Sequence, residues 1–178
     1  MSCDVEINIF GKVSNPEAVW ELANAAAASA TVNFSESFEN TEFVQMLEKA
    51  AAEGTSVTIT GGDTKDLLDE VTTACAEAGL SYVMHYADTG SEKFTDGMAW
   101  RPGMRRDFEF SLADGDASVK LSELQKAAAQ GIDAVNALID RATAHTRIGK
   151  VEMEPGFSEA LQAYLDSGEA WGYHDTRP

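Results

Sequence analysis

Strand-like and helix-like patterns alternate along the first half of this 178-residue chain, and that alternation restricts the fold more than any other feature. In "DVEINIFGKV", Val5, Ile7 and Ile9 point one way and Glu6 and Asn8 the other, as in a half-buried strand. Phe10 leaves the alternation just before Gly11. "SNPEAVWELANAAAAS" then reads as a helix, with Asn15 placed to cap it and Pro16 suited to its first turn. "ATVNFS" is expected to form a short strand. The next helix, "ENTEFVQMLEKAAAEG", puts Phe43, Leu47 and Ala50 on one face and stops at Gly54. "TSVTIT" is a β-branched run of the kind that forms a central strand. "GGDTKDLLDEVTTACAEAG" predicts a third helix, capped near Asp63 or Thr64 and ended by Gly79, and "LSYVMHYADTG" predicts a further strand.

The second half opens on a hairpin. "FTDGMAW" and "RRDFEFSLADG" read as its strands, joined through Pro102-Gly103, a pair suited to a tight turn. "ADGDAS" has turn chemistry. "LSELQKAAAQGIDAVNALIDRATAHTRIGK" predicts one long helix, opened by a Ser122 to Gln125 capping box and tolerating Gly131 at about 1 kcal/mol. "EPGFSEALQAYLDSG" predicts a short last helix, and the tail "AWGYHD" places Trp171 and Tyr173 where they are expected to fold back on the core, with a docking element anchored by these two aromatics as the alternative. Strands interleaved with helices and followed by a hairpin predict the α+β class, with helices packed on a mixed or antiparallel sheet. A break near residue 118 would divide an α+β sheet domain, 1–117, from a helical C-terminal part, 118–178, packed on it; a single domain is the alternative.

Charge separates plausible partners from implausible ones. The chain carries a formal charge of −17, and residues 1–92 hold 16 Asp and Glu against only Lys12, Lys49 and Lys65. Such a surface repels nucleic acid and anionic membranes and attracts basic surfaces, so direct nucleic-acid binding is not expected. No run of about 18 apolar residues predicts a membrane span, and the first residues lack the cationic and apolar regions of a signal peptide. The expected location is therefore cytoplasmic, within a host cell. Cys3 and Cys75 fit neither a disulfide framework nor a metal site. Cys75 shares a helix face with Leu68, Val71 and Ala78, which predicts a small core residue.

The residues that carry chemistry elsewhere form no recognisable constellation here. His85 lies in a strand, with Asp88 on the opposite face; His145 sits near the end of the long helix, where a cation complements the dipole; His174 is in the tail. No histidine pair has ligand spacing, so neither a metal site nor a cofactor is expected. "DGDASVKLSELQ" lacks the glycine and the final glutamate of a calcium loop. "GGDTKD" has the placement of a phosphate loop but not its frame, and Asp63 and Asp66 would repel phosphate there. The chain is therefore read as a non-enzyme, with a small-molecule enzyme of unrecognised site as one alternative.

"WRPGMRR" is the one dense cationic stretch. In the strand after it, Arg106, Phe108, Phe110 and Leu112 share one face and Arg105, Asp107 and Glu109 the other. Arg101, Arg105 and Arg106 either neutralise the protein's own carboxylates or grip an acidic or phosphate group on a partner. Upstream, "YADTGSEKFTDG" places Tyr86, Asp88, Gly90, Phe94 and Gly97 between a helix and a hairpin. Residues 67–111 thereby resemble the ferredoxin-like domain of YubB-like accessory proteins carried on plasmids and phages, with Asp in place of an expected Glu. The resemblance implies a ferredoxin-like sheet and a mobile-element setting, and it brings no catalytic residues.

The acidic residues are ordered along the helices. Asp66, Glu70 and Glu77 fall at i, i+4 and i+11 on the third helix, with Asp63 and Asp69 near its start. Glu17 and Glu21 are i, i+4 on the first helix, and Glu36, Glu39 and Glu42 lead into the second. Carboxylates one turn apart lie about 6 Å apart, close to the spacing of backbone phosphates. The expected partner is a basic nucleic-acid-binding protein or complex, engaged by Glu36, Glu39, Glu42, Asp63, Asp66, Asp69, Glu70 and Glu77, with Arg101 and Arg105 as an edge contact. That is the pattern of an inhibitor or decoy of the anti-CRISPR or anti-restriction type, from a phage or other mobile element. The competing reading is an accessory protein whose acidity serves only solubility or high salt.

Overall fold

The computed structural model describes residues 3–33, 38–63, 65–88, 93–105, 107–113 and 116–171. The strands are β1 (Cys3–Val13), β2 (Val57–Asp63), β3 (Ser81–Asp88), β4 (Asp96–Trp100), β5 (Phe108–Ala113), β6 (Asp116–Ser118) and β7 (Val151–Met153). The α-helices are α1 (Pro16–Asn33), α2 (Asn40–Glu53), α3 (Lys65–Glu77), α4 (Leu121–Gln130), α5 (Ile132–Thr146) and α6 (Phe157–Asp166). The sheet runs β2-β1-β3-β4-β5-β6 with every neighbour antiparallel, and β7 adds to β1 in parallel. Because β2 and β3 both run against β1 and α3 joins them, this part is a split βαβ unit of the ferredoxin-like kind. The α+β class expected from the alternation is the observed one.

Strand alternation assigns the two faces of the sheet. Val5, Ile7 and Ile9 of β1, Val57 and Ile59 of β2, and Tyr82 and Met84 of β3 share the first face by register. They pack with Val19, Trp20 and Leu22 of α1, Phe43 and Leu47 of α2, and Val71 and Cys75 of α3 in one buried core. The second face carries a smaller cluster, Phe10, Val83, Ala99 and Phe110, with Phe108 and Leu112 against it. Phe10, which breaks the sequence alternation, belongs to this second cluster. α5 covers that side: its buried Leu138 and its Ala142 border one pocket with Phe108 and Phe110. Gly149 lies so close over the Phe10 ring that a Cβ there would stand 2.5 Å from it.

The Pro102-Gly103 turn forms as expected, closed by the Met104 N–H donating to the Arg101 carbonyl at 3.0 Å. Within that hairpin Gly97 opposes Phe110. A Cβ on Gly97 would sit 2.3 Å from the Phe110 ring and 2.8 Å from the Met84 carbonyl oxygen. Gly97→Ala is therefore expected to cost about 1–3 kcal/mol, read from the urea midpoint at unchanged slope.

Four local expectations are corrected. The segment expected as a strand, "ATVNFS", continues α1 as far as Asn33, because it follows the run Ala25–Ala28, a strong helix former. The expected long helix is two helices, broken where Gly131 takes φ 113° and ψ 177°, a conformation that no helix contains. α4 begins at Leu121 after Lys120, so Ser122 lies inside the first turn and caps nothing. The turn expected at "ADGDAS" yields Asp116–Ser118 to β6, which pairs with β5. β7 was not expected; it ties the C-terminal third to β1, together with the Lys12–Glu154 ion pair at 3.1 Å.

Cys75 is fully buried, as its helix face predicts, and its Sγ donates to the Leu80 and Ser81 carbonyls at 3.5 and 3.8 Å. Burial raises its thiol pKa far above the usual range. Burial, and then a hydrogen bond to Asp107, raises the Tyr82 phenol likewise. Both groups stay neutral in the folded chain, so their contribution is complete below the unfolded values, about 8.5 for Cys and 10 for Tyr. It is lost as pH rises beyond them towards the folded values. The urea midpoint is expected to fall steadily above about pH 9, and Cys75→Ala with Tyr82→Phe should flatten that decline. An unchanged alkaline slope in the double variant would contradict this assignment.

Candidate protein-binding surface

α1 packs against α3 on one flank and against α2 on the other. Their buried faces follow from period 3.6: Val19, Trp20, Leu22, Ala23 and Ala26 on α1, and Val71, Ala74, Cys75 and Ala78 along α3. Glu21 and Ala28 of α1 and Asp69, Glu70, Thr73 and Glu77 of α3 are turned outward. A shallow groove between the two helices is lined by Glu21, Asn24, Ala25 and Ala28 of α1 and by Asp69, Glu70, Thr73, Ala74 and Glu77 of α3. Among the described residues that line it, four of nine are carboxylates and none is a cation, which gives this part of the groove its single sign. Glu21, Asp69, Glu70 and Glu77 are all exposed, and no described cation forms an ion pair with them. Glu70 and Glu77 are two turns apart, about 10.5 Å along the helix axis.

The field of this surface reaches beyond the groove. Tyr164 of α6 has its phenol pKa raised, first by desolvation and then by the negative charges of Glu17, Glu21 and Glu169. No basic residue occurs in α1 or α6. The helical layer is thus acidic across several elements rather than along α3 alone.

The carboxylates singled out in the sequence separate into groups. Asp69, Glu70 and Glu77 come together in the groove, joined by Glu21. Glu39 and Glu42 stand exposed at the start of α2, where the Glu42 carboxylate accepts the Glu39 N–H at 2.7 Å and so helps to close that helix end. α2 is fastened to α1 there by the Asn40 side-chain amide donating to Asn24 Oδ1 at 3.0 Å. Asp63 ends β2 and Asp66 lies in the first turns of α3. The side chains of Asp63 and Asp66, and all of Glu36, fall outside the described residues, as do Arg106, Tyr173, His174 and the side chains of His145 and Trp171.

The two described arginines of the cationic stretch differ in what they touch. Arg101 turns inward: its guanidinium lies 4.9 Å from the centre of the Phe10 ring and donates to the Arg147 carbonyl at 2.5 Å. It thereby holds the C-terminal end of α5, where unpaired carbonyls attract a cation. Partial burial lowers its pKa. Arg105 is exposed and borders a second recess, with Thr72, Thr73, Glu77, Tyr82, Trp100 and Asp107. Glu77 lines both recesses, so Arg105 stands at the rim of the acidic surface.

His85 has a neighbour that its sequence context does not reveal. Register pairs it with Glu6 on β1, and its Nδ1 lies 3.7 Å from Glu6 Oε1. Glu6 Oε1 also accepts from Asn8 Nδ2, and Asn8 Oδ1 accepts from the Thr58 hydroxyl, each at 2.8 Å. The histidine ring stands 5.9 Å from both Phe94 and Phe110. This polar row crosses three strands on the second face, and none of the described pockets adjoins Glu6 or His85. Among the described residues, no group of His, Cys, Asp and Glu has an arrangement that would hold a metal ion, and no helix is long and apolar enough to cross a membrane. No protein-family model matches the chain, and neither the curated proteins nor the solved structures compared with it include a significant match.

Proposed function

We propose that this protein is a non-enzymatic binder that occupies the basic groove of a nucleic-acid-binding protein, as an inhibitor of the anti-restriction or anti-CRISPR type carried by a phage or other mobile element. The observation that supports this reading is the groove of single sign between α1 and α3, with Glu21, Asp69, Glu70 and Glu77 exposed along it. Grooves that bind nucleic acid draw much of their affinity from charge alone, so a rigid row of carboxylates competes for the same lysines and arginines. The packed helices fix the backbone positions of that row, so binding orders only the side chains. Arg105, at the rim, sets orientation by pairing with an acidic group beside the partner's groove. The resemblance of residues 67–111 to YubB-like accessory proteins accords with a mobile-element origin.

The test is capture of partners from a bacterial lysate on the immobilised chain at about 50 and 300 mM salt. Basic nucleic-acid-binding proteins should be retained at low salt, released at the higher salt and displaced by duplex DNA. Retention of nothing, or of a neutral partner indifferent to salt, would mean that the acidity serves solubility alone.

A further inference from the structure

We propose that the α4–α5 hairpin joins two copies of this chain into a two-fold symmetric dimer. Among the described residues, the exposed large hydrophobic side chains are Leu121, Leu124, Ile132, Ile139 and Ile148, all within 28 residues of each other. Leu121 and Ile132 are 68% and 70% exposed, more than a lone surface hydrophobe needs to be. They are also ordered: Leu121 and Leu124 share one face of α4 at i, i+3, and Ile132 and Ile139 share one face of α5 at i, i+7. Leu138 supplies the inner contact of α5, so the Ile132–Ile139 stripe is a second apolar face, left exposed by the described residues. Two packed helices that both turn such a stripe outward form a patch of the kind that marks an interface.

Charge identifies the occupant. The hairpin with its caps, residues 120–147, holds four cations, Lys120, Lys126, Arg141 and Arg147, against Glu123, Asp133 and Asp140, and Lys150 beyond it is paired with Glu152 at 3.0 Å. The hairpin is thus slightly positive in a chain whose formal charge is −17. Two such chains repel each other through the acidic layer of α1, α2 and α3. In a two-fold interface each patch meets itself, so self-association requires a patch that is both apolar and free of excess negative charge. The hairpin meets both conditions, and it packs against the opposite face of the sheet from the acidic groove. A dimer built this way would present two acidic grooves outward, while two strongly acidic bodies stay as far apart as the contact allows.

The test is sedimentation equilibrium of the full chain between about 1 and 200 µM, at 50 and 500 mM salt. A mass of twice 19.1 kDa is expected at the higher concentrations, with tighter association at high salt because screening relieves the residual repulsion. That salt dependence is opposite in sign to the one expected for a basic partner. Leu121→Glu with Ile132→Glu should weaken self-association by about 100-fold or more, since the two-fold axis places four new charges in the contact. Far-UV circular dichroism should be unchanged, because both side chains are exposed. Hydrogen exchange needs no variant: amides of α4 and α5 should slow as concentration rises. A monomer throughout the range, a dimer untouched by the two substitutions, or a different protein seated on the hairpin would overturn the proposal.

Discussion

Replacing Glu21, Glu70 and Glu77 together by lysine is expected to abolish capture of a basic partner while leaving the fold intact. Each reversal changes the groove by two charges, so its lining shifts from four carboxylates to one carboxylate among three cations. Close charge pairs across an interface have measured couplings of about 1.5–7 kcal/mol, and like charges brought together are repelled by comparable amounts. Even at the low end, three such losses weaken binding by more than about 1,000-fold. The same substitutions should leave thermal stability within about 1 kcal/mol, because exposed charges contribute little to folding. They should even relieve like-charge repulsion along α3. A binding titration by calorimetry beside a melting curve separates the two effects. Binding that survived the triple change would remove the main support for the groove as the contact surface.

The largest effect on stability is expected at Trp20. It is the largest fully buried side chain among the described residues, 1% exposed, in the core between α1 and the sheet. Truncation to alanine deletes the indole contacts and leaves a cavity that close-packed neighbours fill only in part, at a cost of about 3–5 kcal/mol. A domain of this size has about 5–15 kcal/mol in total, so Trp20→Ala should remain folded at 25 °C but melt much earlier. Trp20→Phe, which refills most of the volume, should recover part of the loss. Trp20 is next to Glu21 on α1, the one buried in the core and the other exposed on the groove.

The sequence was legible wherever one element carried its own signal. The alternation of Val5, Ile7 and Ile9, the face of Phe43, Leu47 and Ala50, and the stops at Gly54 and Gly79 are local, and β1, α2 and α3 follow them. The α+β class rested on these. What it did not disclose depended on pairing between distant parts. β7 is three residues long and exists because Gly11–Val13 offers it a free parallel partner. Glu6 meets His85 only through the β1–β3 register, 79 positions apart in sequence. Arg101 is absorbed by a carbonyl 46 residues away, which no reading of "WRPGMRR" could supply. The break at Gly131 turns on the balance between about 1 kcal/mol of helix propensity and the packing gained by folding α5 back beside α4. The acidic surface lies between these cases. Its α3 half was visible as an i, i+4, i+11 stripe, whereas Glu21 joined it only once α1 had packed beside α3.

The central claim is that the acidic groove competes with nucleic acid for one basic site. Its most direct test is the binding of labelled duplex DNA to the captured partner, measured at increasing concentrations of this chain and repeated from 50 to 200 mM salt. Pure competition is expected, with the DNA's apparent dissociation constant rising linearly in the inhibitor and its full occupancy restored at high DNA. The chain's own affinity should fall with salt, but less steeply than that of DNA. A folded protein carries no condensed counterion sheath to release, whereas six to ten phosphate contacts lose about 10³–10⁵ in affinity over that range. A ternary complex of DNA, partner and this chain, or an affinity indifferent to salt, would contradict the account.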